Sequence, residues 1–281
     1  MKARTPEQLK GQIRSFAGKR NLQSQEVLQI FLLERVLYRL SRSEYKDNFI
    51  LKGGLLISSM IGIGERTTMD MDTTVTGINM EEAEIKRIIR EILLIDAKDG
   101  IDFTFEKLEP IRENDDYNNF RAYFVAHYGK IANKMKIDIT TGDEITPGAI
   151  HYSYKTILDG DEIEVMAYNT ETIIAEKYET IIRRNIGTSR ARDFYDLYVF
   201  YKLYKDSINL ETLKLAVTRT AKKRESLEIM SEWEEIIEDM KVDTALKVLW
   251  NNYCENNAYA SEIGFDDVMK TILQIAEMLG F

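Results

Sequence analysis

The chain has 281 residues, of which 44% are hydrophobic and 30% charged, a composition typical of a soluble globular protein with one large or two modest domains. The single cysteine, Cys254, excludes an intrachain disulfide and a multi-cysteine zinc site. No apolar segment is long enough to cross a bilayer, and the chain does not start with a charged and then apolar signal. We therefore expect a cytoplasmic protein that does not associate with membranes.

The net charge of −9 argues against indiscriminate coating of nucleic acid. The charge is uneven, because residues 1–50 carry ten Lys or Arg against five Asp or Glu. Two further basic clusters lie at residues 183–192 and 214–224. Local phosphate binding is therefore compatible with the acidic average, although each cluster taken alone is equally compatible with a solvated helix surface.

The first half of the chain has the pattern of a mixture of helices and strands. Apolar residues at helical spacing predict helices at 24–42, 49–60 and 80–95. Alternating or apolar runs predict strands at 69–75, 101–108, 120–128, 134–140 and 161–168.

From residue 170 the pattern is almost entirely helical. Helices are predicted at 170–185, 190–204, 210–225, 226–239, 241–253 and 265–279. A change of pattern near residue 168, with no flexible linker, predicts two packed domains, 1–168 and 169–281.

Two aspartates separated by one residue mark the first candidate site. In a strand, residues i and i+2 share a face, so Asp70 and Asp72 should project together while Met69 and Met71 point into the core. Adjacent carboxylates suit a hard cation such as Mg²⁺, which also accepts substrate phosphates as ligands. Asp138, in the alternating stretch 134–140, supplies a third carboxylate if the two strands are neighbours.

A glycine pair precedes these aspartates. Gly53 and Gly54 begin a helix-like run, where backbone N–H groups attract phosphate and missing side chains permit close approach. Lys52, which directly precedes the glycine pair, is also expected to bind the nucleotide. Arg66 either neutralises a triphosphate or pairs with a neighbouring acid, and Thr67 offers a hydroxyl.

A second candidate site lies in the helical half. Lys177 is flanked at i±4 by Ile173 and Ile181, so it either extends to solvent or reaches into a site. Asp193 and Asp196 are i, i+3 neighbours. They either act in catalysis or serve as a helix cap and ion pair with a nearby arginine.

Three separated motifs, in order over about residues 48–200, carry a family resemblance. The stretch KGGLLISSMIGIGERTTMDMDTTV resembles the first motif of the AbiEii/AbiGii family of nucleotidyltransferase toxins. KIDITTGDEITP resembles the segment that bears the family's third acidic strand, and AEKYETIIRRNIGTSRARDFYDLYVF resembles its later lysine and aspartate motifs.

The resemblance implies an α+β fold, in which a minimal nucleotidyltransferase core of the polymerase-β kind, a mixed sheet with helices, precedes an all-helical C-terminal domain. It implies that Asp70 and Asp72 bind metal, that Lys177 engages the triphosphate, and that Asp193 or Asp196 is the family's late aspartate. Asp138 is implied as a third carboxylate. Relatives often carry Ser or Thr after the glycines, where Leu55 stands here, so the hydroxyl contact is missing or comes from Ser58, Ser59 or Thr67.

The implied activity is transfer of a nucleotide from an NTP to an RNA acceptor, with tRNA expected, dependent on Mg²⁺ with Mn²⁺ as the alternative. The implied biology is a type IV toxin–antitoxin pair with a separately encoded antitoxin, acting in abortive infection and phage defence. The basic N-terminal helices and the two basic clusters are expected to bind the RNA. Two other interpretations stay open: nucleotide transfer to protein hydroxyls or a small molecule, and a non-catalytic interaction protein on the same core.

Overall fold

The computed structural model describes residues 4–111 and 118–280, which divide into two compact units. The first comprises residues 1–142 and 150–167, and the second comprises 143–149 and 168–281. The domain boundary predicted near residue 168 puts 143–149 in the first domain. The segment belongs instead to the second unit, because the Asn169 side chain donates to the carbonyls of Thr146 and Gly148, and the Thr146 N–H donates to Thr172 Oγ1.

The first unit is a mixed α/β structure. Its described helices are α1 (Pro6–Arg20), α2 (Ser24–Ser41), α3 (Gly53–Ile61) and α4 (Glu82–Leu94). Its described strands are β1 (Phe49–Lys52), β2 (Met71–Val75), β3 (Asp102–Pro110), β4 (Phe120–Tyr128), β5 (Ile131–Thr141), β6 (Ile150–Lys155) and β7 (Glu162–Ala167).

The strands form one sheet in the order β3-β4-β5-β2-β1-β7-β6. The pairs β2/β5 and β1/β7 are parallel, and the other neighbours are antiparallel. Because side chains alternate along each strand, β5 buries Met135, Ile137 and Ile139 and turns the residues between them to the opposite face. The expected mixed sheet with helices is confirmed, and the expected adjacency of the Asp72 and Asp138 strands is present.

Residues 49–52 correct the predicted helix 49–60. They form β1, a central strand between β2 and β7, and the helix begins only at Gly53. A short continuous apolar run is common to buried strands and buried helices, so periodicity does not distinguish them. The sequence pattern also predicts no strand at Ile150–Lys155, which forms the sheet edge as β6.

The described part of the second unit is helical, as expected. Its helices are α5 (Thr170–Arg184), α6 (Ala191–Tyr204), α7 (Leu210–Lys223), α8 (Leu227–Ser231), α9 (Trp233–Val242), α10 (Thr244–Asn256) and α11 (Phe265–Leu279). The predicted helix 226–239 is two helices, because the backbone at Glu232 (φ −95°, ψ 14°) interrupts it without a proline or glycine. In the described ranges, no helix has the length and apolar character needed to cross a membrane.

Candidate active site

A row of charged side chains crosses the centre of the sheet. The strand register places Lys52 of β1 opposite Asp72 of β2, Asp72 opposite Asp138 of β5, and Asp138 opposite Arg121 of β4. Directly opposed residues in neighbouring strands have their Cβ atoms within about 5.5 Å. Two carboxylates thus lie side by side with one cation at each end of the row.

Asp72 lies inside this row, between Lys52 and Asp138. Burial raises the pKa of the Asp72 carboxyl, and the negative charges of Asp138 and Asp70 raise it further. Lys52 and the Gly54 N–H, which donates to Asp72 Oδ2 at 3.4 Å, oppose that rise in pKa. The site therefore holds Asp72 in surroundings that favour an additional positive charge.

Asp70 directly precedes β2 and is more exposed than Asp72. Its Oδ2 atom lies 3.2 Å from Lys136 Nζ, and the Asp70 side chain is 37% exposed. Met69 corrects an expectation, because it is 43% exposed while Met71 is buried. The strand begins only at Met71, so alternation does not extend back to Met69.

Asp138 is held by a residue that the sequence pattern does not indicate. The Arg121 guanidinium donates from Nε and one terminal nitrogen to the two Asp138 oxygens, each at 2.6 Å. This bidentate pair raises the pKa of Arg121. Alternation in 120–128 puts Arg121 on one face of a strand, but only the register with β5 places it beside Asp138.

The glycine turn packs directly against the acidic strand. Gly53 has a positive φ of 64°, and a Cβ atom there would lie 2.1 Å from Asp72 Oδ2. A Cβ atom on Gly54 would lie 2.5 Å from Thr68 Oγ1 and 3.4 Å from an Arg66 nitrogen. Glycine is required at both positions because α3 begins in contact with the side chains of 66–72.

Gly53→Ala is expected to lower the free energy of unfolding by about 2–5 kcal/mol, because it combines a left-handed alanine with a collision against Asp72. Gly11→Ala is the matched control. Gly11 lies inside α1 with open space around its Cβ position, and the change should stabilise by about 0.5–1 kcal/mol. Urea denaturation of both variants measures the difference, and equal effects would contradict the packing argument.

Three further residues predicted to bind nucleotide already have protein partners in the first unit. Lys52 Nζ donates to Thr140 Oγ1 at 2.8 Å, and Thr67 Oγ1 donates to Glu26 Oε1 at 2.8 Å. Arg66 is 2% exposed and donates to the Thr67 carbonyl. These residues shape the turn around Gly53 and Gly54.

The hydroxyls considered as substitutes for the one missing at Leu55 are also engaged or enclosed. Leu55 is fully buried, and Ser58 is 3% exposed. Ser59 Oγ donates to the Leu56 carbonyl at 2.7 Å and lies 3.0 Å from the Tyr152 hydroxyl. The start of α3 thus offers backbone N–H groups rather than a side-chain hydroxyl.

Two of the three carboxylates suit a divalent metal. Across residues 4–111 and 118–280, no group of three or more His, Cys, Asp or Glu side chains is arranged to hold a metal ion. Mg²⁺ needs fewer protein ligands, since it is commonly bound by one or two carboxylates together with waters and substrate phosphates. Asp70 and Asp72 fit that arrangement, whereas Asp138 is a bidentate partner of Arg121.

The second unit brings together the other predicted site residues. Lys177 Nζ on α5 lies 2.5 Å from Asp193 Oδ1 and 2.9 Å from Asp196 Oδ2 on α6. Burial alone would raise the pKa of Asp193, but the charges of Lys177 and Arg190 outweigh it and hold that pKa below its ordinary value. The expected ion pair with a nearby arginine is present, because Arg190 donates to Asp193.

Part of each basic cluster stabilises the second unit. Arg183 and Arg224 both donate to the fully buried Glu179, which also accepts from Ser226. Lys222, by contrast, is exposed. The two arginines are therefore packing and ion-pair residues, and they correct the expectation that the whole of each cluster faces a polyanion.

A separate cavity of about 420 Å³ lies at the other end of α3. It contains none of the predicted catalytic or metal-binding residues and is lined by Phe16, Arg20, Ser58, Ser59, residues 61–65 and residues 154–157.

Known proteins resemble this chain in sequence and in fold. A family model described as Nucleotidyl transferase AbiEii toxin, Type IV TA system, matches residues 35–271. The chain is similar to the crystal structure of JHP933 from Helicobacter pylori (18% identity, TM-score 0.50), with 92% of this chain and 94% of that chain covered. No curated protein sequence matches the chain significantly.

Two further solved structures are similar at lower TM-scores. A putative nucleotidyltransferase from H. pylori is 18% identical at a TM-score of 0.49 and covers 92% of this chain and 97% of that chain. An antigenic nucleotidyltransferase-like protein from Paracoccidioides brasiliensis is 13% identical at a TM-score of 0.42, covering 73% and 92%. The family match over most of the chain, together with the fold shared with JHP933, shows that the protein belongs to the AbiEii family of nucleotidyltransferase toxins of type IV toxin–antitoxin systems.

Proposed function

We propose that the protein transfers a nucleotide from an NTP to an RNA acceptor, with tRNA expected, and releases pyrophosphate. The observation that carries the proposal is the register of β2 and β5, which sets Asp72 beside Asp138 at the edge of the Gly53-Gly54 turn. Paired carboxylates next to the N-terminus of α3 suit a triphosphate with its counter-ion.

Asp70 and Asp72 are proposed to hold Mg²⁺, with Mn²⁺ as the alternative. Such an ion neutralises triphosphate charge and stabilises the leaving pyrophosphate when bound. The Gly54 N–H donates to the Asp72 carboxylate, and the charge of Lys52 favours its ionised form. Asp138 is the third carboxylate of the row and is positioned by Arg121, next to where an acceptor hydroxyl would have to approach.

Lys177 is proposed to bind the triphosphate, on the strength of the family resemblance of its motif. Its ammonium group is held by two carboxylates, so a triphosphate that binds Lys177 would compete with these ion pairs. Nucleotide transfer in the cytoplasm would block growth in the absence of the separately encoded antitoxin, whose existence the type IV family implies.

The test is incubation of the purified protein with Mg²⁺, each labelled NTP in turn, and total cellular RNA and protein. Label on tRNA that falls about a hundredfold or more with Asp70→Ala supports the proposal. Asp206→Ala, an exposed turn residue, is the matched control and should retain full transfer.

The other outcomes separate the alternatives. Label on protein or on a small molecule, with RNA unlabelled, would replace the RNA acceptor by one of those classes. No label under any condition, together with growth inhibition that survives Asp70→Ala in cells, would indicate a non-catalytic interaction protein.

A further inference from the structure

The outer face of strands β3, β4 and β5 carries lysines beside the acidic row. The register aligns Lys107, Tyr123 and Lys136 in one cross-strand row, and aligns Thr104, Val125 and Lys134 in the next. All six side chains lie on the face opposite the buried core residues of these strands. We call these two rows the lysine face.

The lysine face has three cations and no carboxylate among its six positions. Lys107 is 55% exposed and Lys136 33% exposed, and Lys134 is also exposed. Lys107 Nζ lies 4.8 Å from the centre of the Tyr123 ring. Lys107 Nζ also donates to Glu109 Oε1 at 2.6 Å. Glu109 and, to a smaller extent, Glu106 raise the pKa of Lys107. The six positions are therefore positive, but Lys107 and Lys136 each pair with a carboxylate at their border, which an RNA phosphate would replace.

The lysine face is continuous with the acidic site. Lys136 Nζ lies 3.2 Å from Asp70 Oδ2. Asp138 follows Lys136 by two residues on the same face of β5, about 7 Å along the strand, and Lys134 precedes it by the same step. Three side chains of one strand thus lead from an exposed lysine to the carboxylate row.

We propose that the lysine face binds the single-stranded 3′ end of the RNA acceptor, with its backbone phosphates on Lys134, Lys136 and Lys107. The inference rests on the proposed function and names the acceptor surface for that reaction. Exposed cations beside an aromatic ring are the features by which proteins hold single strands without reading sequence. If a single RNA strand lies on the lysine face, its terminal hydroxyl reaches the row of the sheet that contains Asp138 and Asp72.

A single strand fits this face better than a duplex does. The two rows and the acidic row span about 14 Å along β5 and three strands in width, which is suited to a few nucleotides. The half-buried Tyr123 ring already lies under Lys107 Nζ. A base that stacks on this ring would replace that contact, which an unpaired base can do and a paired base cannot. An acidic polypeptide would also be attracted by the charge of this face, so the experiment tests for its binding as well.

The experiment uses the full chain with Lys107→Glu, Lys134→Glu and the double variant. Lys86→Glu is the matched control, because Lys86 is a partly exposed lysine on α4, in a different part of the same unit. Fluorescence anisotropy with a labelled single-stranded RNA oligonucleotide measures binding, and labelled NTP with total tRNA measures KM for the acceptor. Circular dichroism confirms that each variant is folded.

Each reversal on the lysine face should weaken oligonucleotide binding about five- to tenfold at low salt and raise KM for tRNA similarly, with kcat little changed. The slope of log affinity against log salt should become shallower by about 0.7 for each RNA phosphate that the variant no longer neutralises. Lys86→Glu should behave as the wild type.

Unchanged RNA affinity and KM in the double variant would contradict RNA binding by the lysine face. The proposed function would still stand if the wild type labels tRNA. Loss of affinity in Lys214→Glu/Lys222→Glu alone would assign the RNA to the 214–224 cluster instead. Binding of polyglutamate in place of RNA would also overturn the assignment. Failure of the proposed function shows separately, as a wild type that transfers no label to RNA.

Discussion

Replacing Asp72 by asparagine is expected to abolish nucleotide transfer and, in the same protein, to raise the melting temperature. Asparagine keeps the shape of the side chain and an oxygen that accepts the Gly54 N–H. It removes the negative charge that burial and the neighbouring carboxylates of Asp138 and Asp70 disfavour. The loss of transfer should be about a thousandfold or more, since a metal ligand contributes several kcal/mol to the transition state.

The gain in stability depends on pH in a definite direction. The pKa of Asp72 is raised in the folded state above its ordinary value of 3.8. Below that value the carboxyl is protonated in both folded and unfolded chains, so ionisation costs the folded state nothing. As the pH rises through the folded-state pKa, the wild type loses stability that Asp72→Asn retains. The variant should therefore melt higher than the wild type at neutral pH, and the difference should close at acidic pH.

Thermal denaturation followed by circular dichroism at several pH values measures this difference. Addition of Mg²⁺ with a non-hydrolysable NTP should stabilise the wild type by mass action and leave Asp72→Asn unchanged. Asp102→Asn, at an exposed carboxylate of β3, is the control and should change neither property. A variant that melts lower than the wild type at neutral pH, or that retains transfer, would contradict the assignment of Asp72.

The faces of the strands could be predicted from the sequence, but their neighbours could not. Side-chain alternation in 134–140 correctly separates Asp138 from Ile137 and Ile139, because the period of a strand is a local property. Which strand lies beside β5 is a non-local property. From the sequence, Asp72 and Asp138 are neighbours only if their two strands are adjacent. In the structure the two strands are adjacent.

The cations that pair with these carboxylates could not be predicted from the sequence, for the same reason. Arg121 and Lys136 are visible as residues in alternating stretches, yet their partners Asp138 and Asp70 lie in different segments of the sheet. An ion pair across a sheet requires the register, and a shift by one residue would turn Arg121 to the core. The cluster in the second unit is easier to predict, because Lys177 and the two aspartates already lie in motifs within one segment of the chain.

Asp196→Ala is expected to destabilise the second unit more than Asp193→Ala does, and this difference bears on which aspartate is functional. Asp196 is fully buried and lies 2.9 Å from Lys177 Nζ, whose side chain is 16% exposed. Removing one partner of a buried ion pair costs about 3–5 kcal/mol, because the other charge stays buried with less compensation. Asp193 shares its charge with Arg190, which is 52% exposed and can return to water.

The measurement is urea denaturation of both single variants and of Lys177→Met, with the Lys177→Met/Asp196→Ala double variant closing a cycle. If Asp196 acts by positioning Lys177, the double variant should be less destabilised than the sum of the two single changes. KM for NTP should then rise in Asp196→Ala and in Lys177→Met alike. Asp193→Asn, which keeps the side-chain shape, should lower the free energy of unfolding by less than Asp196→Ala does.

The two roles open to Asp196 predict different patterns of loss. A positioning residue loses stability and NTP affinity together, since both depend on the same ion pair with Lys177. A catalytic residue would lose kcat while unfolding like the wild type, which its complete burial disfavours. If Asp193→Ala instead removes activity at nearly full stability, the end of this cluster beside the exposed Arg190 is the one that meets the substrate, and Asp196 is its structural support.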